Sequence, residues 1–342
     1  MDRKYYLDLA DAGLRMPIGT HLLLHEHADH ENVILDGERL GGVVADTADR
    51  FSTPLAVPLM DLKLEKEALL HSMGIPDADI ESFHFDEAPS GNPSFVLTPR
   101  MRATCDAISH VAKKPGLVPM GMGIGPFSLM TKLVSDPITP VFLAGTGLTA
   151  GDEPEIALIE RAIELGTQII LDYFNAQIDA GAKALIVCEP AANLVYFSPN
   201  QLDNSFEIFD RYVTEPMRRI KAMLDSRGVD LVFHDCGELT NPMVERFASL
   251  DAAMISFGCS RQLWEDAALI PKSTVLYGNL PTKNFVSSQL TVAEVERLSR
   301  NLLEKMREAG HPFILGSECD VLSVPGSERE IMSKVEAFMR LP

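Results

Sequence analysis

Residues 182–189 read Ala-Lys-Ala-Leu-Ile-Val-Cys-Glu, and residues 230–234 read Asp-Leu-Val-Phe-His. Each run is too short for an independent helix and is apolar throughout rather than alternating. A strand that is apolar on both faces is buried on both faces, which marks a parallel sheet covered by helices. Six further runs have the same character: Met16 to Leu24, Pro54 to Met60, Leu117 to Ile124, Ala252 to Phe257, Ser273 to Tyr277 and Pro312 to Leu315. Amphipathic stretches lie between them, at about Gly37 to Phe51, Leu62 to Met73, Pro154 to Ala180, Gln201 to Ser226, Asn241 to Ser249, Thr291 to Ala309 and Ser327 to Arg340. Two of these carry start signals. Asp152 and Glu153 precede Pro154, and Thr291 with Glu294 forms a capping box.

Eight strands alternating with helices across roughly 300 residues predict an α/β fold, a TIM (β/α)8 barrel with an N-terminal elaboration. An open doubly wound sheet is the rival architecture. No internal repeat or Gly/Ser linker divides the chain, so residues 1–342 are expected to form one domain.

Composition narrows the function. Apolar residues make up 46% of the chain, enough for a packed core, and 49 acidic against 30 basic residues leave a net charge of −19. Such a surface repels phosphate backbones and anionic lipid, so neither nucleic acid nor membrane is an expected partner. The opening Met-Asp-Arg-Lys-Tyr-Tyr has no apolar stretch behind it, which argues against a signal peptide. Five dispersed cysteines (105, 188, 236, 259, 319) fit thiols or metal ligands in a reducing, cytoplasmic setting better than disulfides.

A barrel of this kind places its chemistry where the strands end. After the fifth strand the chain reads His234-Asp235-Cys236, and after the eighth Gly316-Ser317-Glu318-Cys319-Asp320. Side chains two apart on a strand share a face, so His234 and Cys236 point together. Loops converge at a barrel mouth, so Cys319 can join them. One imidazole and two soft thiolates suit Zn2+, and three protein ligands leave a position open, the catalytic arrangement. The plainer alternative is a core cysteine beside a satisfied histidine.

Other polar residues at strand ends are candidates for substrate contact: Asp61, Glu189, Asn279 and His21. Glu189 reads as a fourth ligand, a substrate contact, or a helix-capping or salt-bridging acid. Cys188 and Cys259 read as packed thiols. His21, His25, His27 and His30 fail the His-Glu-x-x-His pattern, because Asp29 stands four residues after His25. Gly121-Met122-Gly123-Ile124-Gly125-Pro126 departs from a dinucleotide loop and reads as a tight turn at a strand end.

With these residues in place, the chain resembles the uroporphyrinogen decarboxylase superfamily, and in particular its zinc-dependent, corrinoid-linked methyltransferase branch. The likeness runs from Pro17 to the last helix. It is carried by Asp61, by Gly-Pro-Phe-Ser-Leu at 125–129, by Tyr277-Gly278-Asn279-Leu280-Pro281 and by Gly316-Ser317-Glu318-Cys319-Asp320. The superfamily fold is a TIM barrel. The decarboxylase branch carries an Arg-Gln-Ala-Gly-Arg segment after its first strand, where this chain has Gly19-Thr20-His21-Leu22-Leu23. That departure favours the methyltransferase branch, whose zinc ligands carry over onto His234, Cys236 and Cys319.

The resemblance implies methyl transfer between a methylcobalamin or other corrinoid and a small-molecule acceptor. Coenzyme M, homocysteine, another thiol and tetrahydrofolate all stay open as that acceptor. No Asp-x-His-x-x-Gly segment is present, so the corrinoid is expected in trans on a corrinoid protein. Two other functions are weighed against this one. The first is decarboxylation of a tetrapyrrole with Asp61 as the charge-stabilising acid; the second is a non-catalytic barrel that binds a corrinoid or one-carbon ligand.

Overall fold

The computed structural model describes residues 1–341. Eight parallel strands form one curled sheet: β1 (Arg15–Ile18), β2 (Leu55–Ala56), β3 (Val118–Ile124), β4 (Ala184–Cys188), β5 (Asp230–Asp235), β6 (Met254–Phe257), β7 (Val275–Leu280) and β8 (Phe313–Asp320). Their order is β1-β8-β7-β6-β5-β4-β3-β2, which is chain order around a circle. The architecture is a TIM (β/α)8 barrel. Where β1 and β2 meet, a side chain bridges the seam: the Thr20 hydroxyl donates to the Val57 carbonyl at 2.7 Å.

The continuous apolar strands are explained by two separate cores. On β4, Ile186 and Cys188 belong to the barrel interior with Met16, Met120, Met122, Val232, Met254 and Val275. Their neighbours Leu185 and Val187 belong instead to the layer between sheet and helices, with Phe233, Ile255, Phe257 and Leu315. Period-two geometry sends alternate side chains to opposite faces, and both faces are apolar because both are covered.

The N-terminal elaboration is a helix, Lys4–Asp11, that closes the floor of the barrel. Tyr6 is fully buried in the interior cluster, and its hydroxyl donates to Asp230 at the start of β5 at 3.0 Å.

Several elements differ from the sequence expectation, each for a local reason. The run 16–24 is a strand only to Ile18; Thr20–Leu24 is a helical turn whose leucines are all buried. The run 54–60 keeps two ladder residues, because Pro54 and Pro58 have no N–H to give. The helix Pro99–Ala112 has no counterpart in the periodicity, although Thr98 and Pro99 announce it: the Thr98 hydroxyl accepts from Met101 N at 3.2 Å. The stretch 201–226 is broken, and its continuous helix is Glu215–Ser226. At the Thr291 cap the hydroxyl accepts from Glu294 N at 3.2 Å as expected, and Gly310 ends that helix in the left-handed conformation with φ of 62°.

The glycines at 121 and 123 do not form a turn. They lie inside β3, where the absent side chains admit buried polar groups from helices outside the sheet. A Cβ on Gly123 would overlap Glu65, whose Oε1 accepts from Ile124 N at 3.1 Å, and Gln177 accepts from Met122 N at 2.9 Å. Glu65 is fully buried, and burial raises its pKa to about 8.

An unfolded glutamate ionises near its ordinary value while the folded one stays protonated to about pH 8. The folded chain therefore holds an extra proton between those values, and Glu65 costs stability progressively as pH rises through that window. Glu65→Gln should remove this dependence. Urea midpoints at pH 5.5 and 8.5 should lie closer together in the variant than in the parent chain, and an unchanged difference would refute the assignment.

Candidate metal centre and the barrel mouth

β5 and β8 run on past their apolar portions, so His234 and Cys319 are strand residues at the barrel mouth, and Cys236 follows directly after β5 ends at Asp235. There the ligand atoms of His234, Cys236 and Cys319 all lie within 4.8 Å of one another. Among the described residues this is the one group of three or more His, Cys, Asp or Glu side chains so arranged. The expected convergence of residues 83 positions apart is therefore what the fold delivers (319 minus 236).

A register change in β8 makes it possible. Met16 on β1 pairs with Gly316, yet Ile18 pairs with Asp320, so one β1 residue faces three on β8. Pro17 sits at that point and has no N–H for the extra residues. The slack is taken up by a buried hydroxyl network: Tyr277 Oη donates to the Met16 carbonyl at 3.0 Å and accepts from Ser317 N at 3.2 Å. It lies 3.0 Å from Ser317 Oγ, which accepts in turn from Ile18 N at 2.9 Å. Gly316 is required beside it, since a Cβ there would overlap the Tyr277 ring.

His234 is 2% exposed. Its Nδ1 lies 3.1 Å from Ser256 Oγ on β6, while its Nε2 is buried with no hydrogen-bond partner. An orphan buried nitrogen is costly unless something binds it, so this atom fits a metal ligand. The two thiols share a proton unequally. A hydrogen bond from Cys319 draws the pKa of Cys236 down, with the His234 imidazole and Lys283 adding to the effect; the same bond and burial push Cys319 up. Cys319 also rests against Met60, with sulfurs 4.0 Å apart.

The remaining sequence candidates are placed as follows. Glu189 is fully buried and accepts from Ser128 N at 2.5 Å and Phe127 N at 3.3 Å, capping the helix Pro126–Leu133. Burial raises its pKa to about 7. Its oxygens are spent on the helix terminus and it does not join the metal group. Asn279 donates to the Gly258 and Arg261 carbonyls at 2.8 and 2.9 Å, bracing the β6 loop. Asp61 forms an ion pair with Arg100 at 3.3 Å. His21 accepts from Ser323 N at 3.0 Å and stacks on His25, which stacks on His30, with centroids 4.3 and 4.2 Å apart. Burial and the two neighbouring imidazoles lower the pKa of His21 to about 4. Cys188 is buried as expected, whereas Cys259 is exposed.

Two residues of the site escape sequence reading. Lys283, in the turn after β7, lies against Cys236; burial opposes its charge, but Cys236 and Glu318 raise its pKa overall. Glu318 Oε2 accepts from Cys259 N at 2.9 Å, tying the β6 loop to β8. A lysine in Pro-Thr-Lys-Asn carries no motif; its place after a barrel strand is the available clue.

The uroporphyrinogen decarboxylase (URO-D) family model matches residues 60–337. The chain belongs to the uroporphyrinogen decarboxylase family. A uroporphyrinogen decarboxylase of Methylibium petroleiphilum is 24% identical over 314 residues, spanning 87% of this chain and 80% of that one. The match to a uroporphyrinogen decarboxylase of Ralstonia nicotianae is 25% identical and spans 54% of this chain but only 49% of the relative. Among solved structures, a methyltransferase from Methanosarcina mazei superposes with a TM-score of 0.62 at 16% identity, covering 98% of each chain, and so shares the fold. No helix among the described residues is long and apolar enough to cross a membrane.

The Ser256 contact orients the His234 ring, and the partner of a metal-binding histidine typically accounts for about 10–100-fold in affinity. At this candidate site Ser256→Ala should therefore weaken binding of an added divalent metal ion by about tenfold with the fold intact. Competition against a chromophoric chelator would measure it, and parental affinity would show that the contact is dispensable.

Proposed function

We propose that this chain is a zinc-dependent methyltransferase acting between a methylcorrinoid, presented by a partner corrinoid protein, and a thiol or similar small-molecule acceptor in the cytoplasm. The observation that carries this reading is the His234, Cys236 and Cys319 group at the barrel mouth. An imidazole and two sulfurs form a donor set suited to zinc, and three protein ligands leave room for a fourth. When bound, zinc supplies Lewis acidity that lowers the pKa of an acceptor thiol.

The chain's own residues prepare the rest. Ser256 fixes the His234 ring, and the Tyr277–Ser317 network holds Cys319 in reach. Two thiolate donors make the centre electron-rich, which favours activating a sulfur nucleophile over polarising a carbonyl. Lys283 brings positive charge against Cys236 and offsets the negative charge that sulfur ligands accumulate. In the transfer the acceptor loses its proton, its sulfur bonds the methyl carbon, and the cobalt–carbon bond breaks with its electron pair left on the corrinoid substrate. Orientation and exclusion of water are the protein's contribution, and the corrinoid supplies the reactive bond.

Decarboxylation, the activity for which the relatives are named, asks Asp61 to stand as a free charge-stabilising acid. Here its carboxylate is engaged with Arg100, and the metal group has no role in that chemistry.

Metal analysis of the purified protein should find about one zinc per chain. Cys236→Ala and Cys319→Ala should each lose both the zinc and the activity, and full zinc content in both variants would overturn the site. Anaerobic incubation of the zinc-loaded protein with methylcobalamin and a panel of thiols should yield cob(I)alamin in the visible spectrum for the true acceptor. A protein that holds zinc yet demethylates no corrinoid with any thiol would refute methyl transfer and leave the metal site standing.

A further inference from the structure

The segment between β2 and the helix Pro99–Ala112 is long, and it folds as an insertion on the β2–β3 side of the barrel. The thiols come from β5 and β8, elsewhere around the ring. Between the helix Leu64–Ser72 of this insertion and the helix Pro126–Leu133 lies a cleft of about 600 Å³. That volume is typical of small-molecule sites. Three lysines reach it, Lys63, Lys66 and Lys132, together with His71, His84 and the apolar Ile80.

The pairing of charges in this cleft is unusual. Lys63 is matched by Glu81 at 3.9 Å, and His71 by Asp77 at 3.2 Å. Lys66 and Lys132 are not matched: no ion pair joins either to a carboxylate among the described residues. Lys66 is only 8% exposed, and its sole hydrogen bond is to the Glu81 carbonyl at 3.2 Å. Glu67 also lines the cleft without pairing to them. Acids line the cleft at Glu67, Asp77 and Glu81, yet none of them closes an ion pair with Lys66 or Lys132, which leaves both ammonium groups able to meet a ligand. Burial lowers the pKa of Lys66 and the charge of Lys132 lowers it further, with Glu81 offsetting part of the effect, so the two cations disfavour each other.

The geometry points to this cleft as a binding site for a phosphate-bearing small molecule, held by Lys66 and Lys132. The arginine fork matches carboxylate and phosphate alike, and no arginine lines the cleft, so recognition here rests on lysines acting as point charges. Compact ammonium groups approaching from different helices suit a tetrahedral group with oxygens on several sides. His71 and His84 extend the donor set at the rim, and Ile80 offers apolar surface to the body of a ligand. A bound dianion cancels the repulsion between the lysines, so binding stabilises the fold.

Calorimetric titration with pyrophosphate, inorganic phosphate and citrate tests this on the full chain. Pyrophosphate should bind and raise the melting temperature, with affinity that falls as salt rises. Lys66→Met keeps the buried stem and removes the charge; it and Lys132→Met should each weaken pyrophosphate by about tenfold or more. Lys114→Met, exposed on a distant loop, should bind as the parent does. Should Lys66→Met fail to fold, the partly exposed Lys132→Met decides alone. No binding of either phosphate, equal binding in the Lys132 variant, or a preference for citrate would overturn the assignment. Neither substitution touches the metal group, and the titrations are run on metal-free protein because pyrophosphate and citrate chelate zinc, so the outcome is independent of the methyl-transfer reading.

Discussion

The hydroxyl of Tyr277 governs the arrangement at the barrel mouth. It fills the gap where β8 outruns β1, giving its proton to the Met16 carbonyl and accepting from Ser317 N. A regular ladder would spend those backbone groups on strand pairing and would carry Cys319 along an undisturbed strand. The departure from regular pairing instead places it beside His234 and Cys236. Irregularities of this kind, next to functional residues, re-aim side chains without disturbing the rest of a sheet. A buried polar network is stable only when its members are satisfied, and here a hydroxyl, a serine and three backbone groups satisfy one another.

Buried acids perform related work elsewhere. Glu65 accepts from a backbone amide of β3, and Glu189 closes the N-terminus of the next helix. Burial keeps both acids protonated well above their ordinary range, and glycine in β3 and after it makes the space they occupy. Cations are correspondingly few at the mouth and its margin. Lys283 lies against the Cys236 sulfur, and Lys66 and Lys132 line the neighbouring cleft together.

Much of the barrel was legible before any coordinates. Eight apolar runs correspond to eight strands, because burial on two faces leaves a mark on every residue of a strand. The departures were local. Prolines at 54 and 58 shortened β2, and the leucines after Gly19 turned into a helix rather than extending β1. His234 and Cys236 were legible as a pair because strand parity is a property of sequence spacing. Glu189 and Asn279 were legible as polar groups at strand ends, but not as groups already spent on backbone partners.

The amino-acid sequence by itself settled which segments must be buried, their parallel arrangement, and that an imidazole and a thiol would come together at the end of the fifth strand. These follow from patterns a few residues long. The tertiary structure alone decided that Cys319 reaches that pair, that Lys283 flanks it, and that Lys66 and Lys132 come to line one cleft without an ion-pair partner. Those outcomes depend on strand register and on where an insertion folds back, and contacts between distant segments leave no periodic trace along the chain.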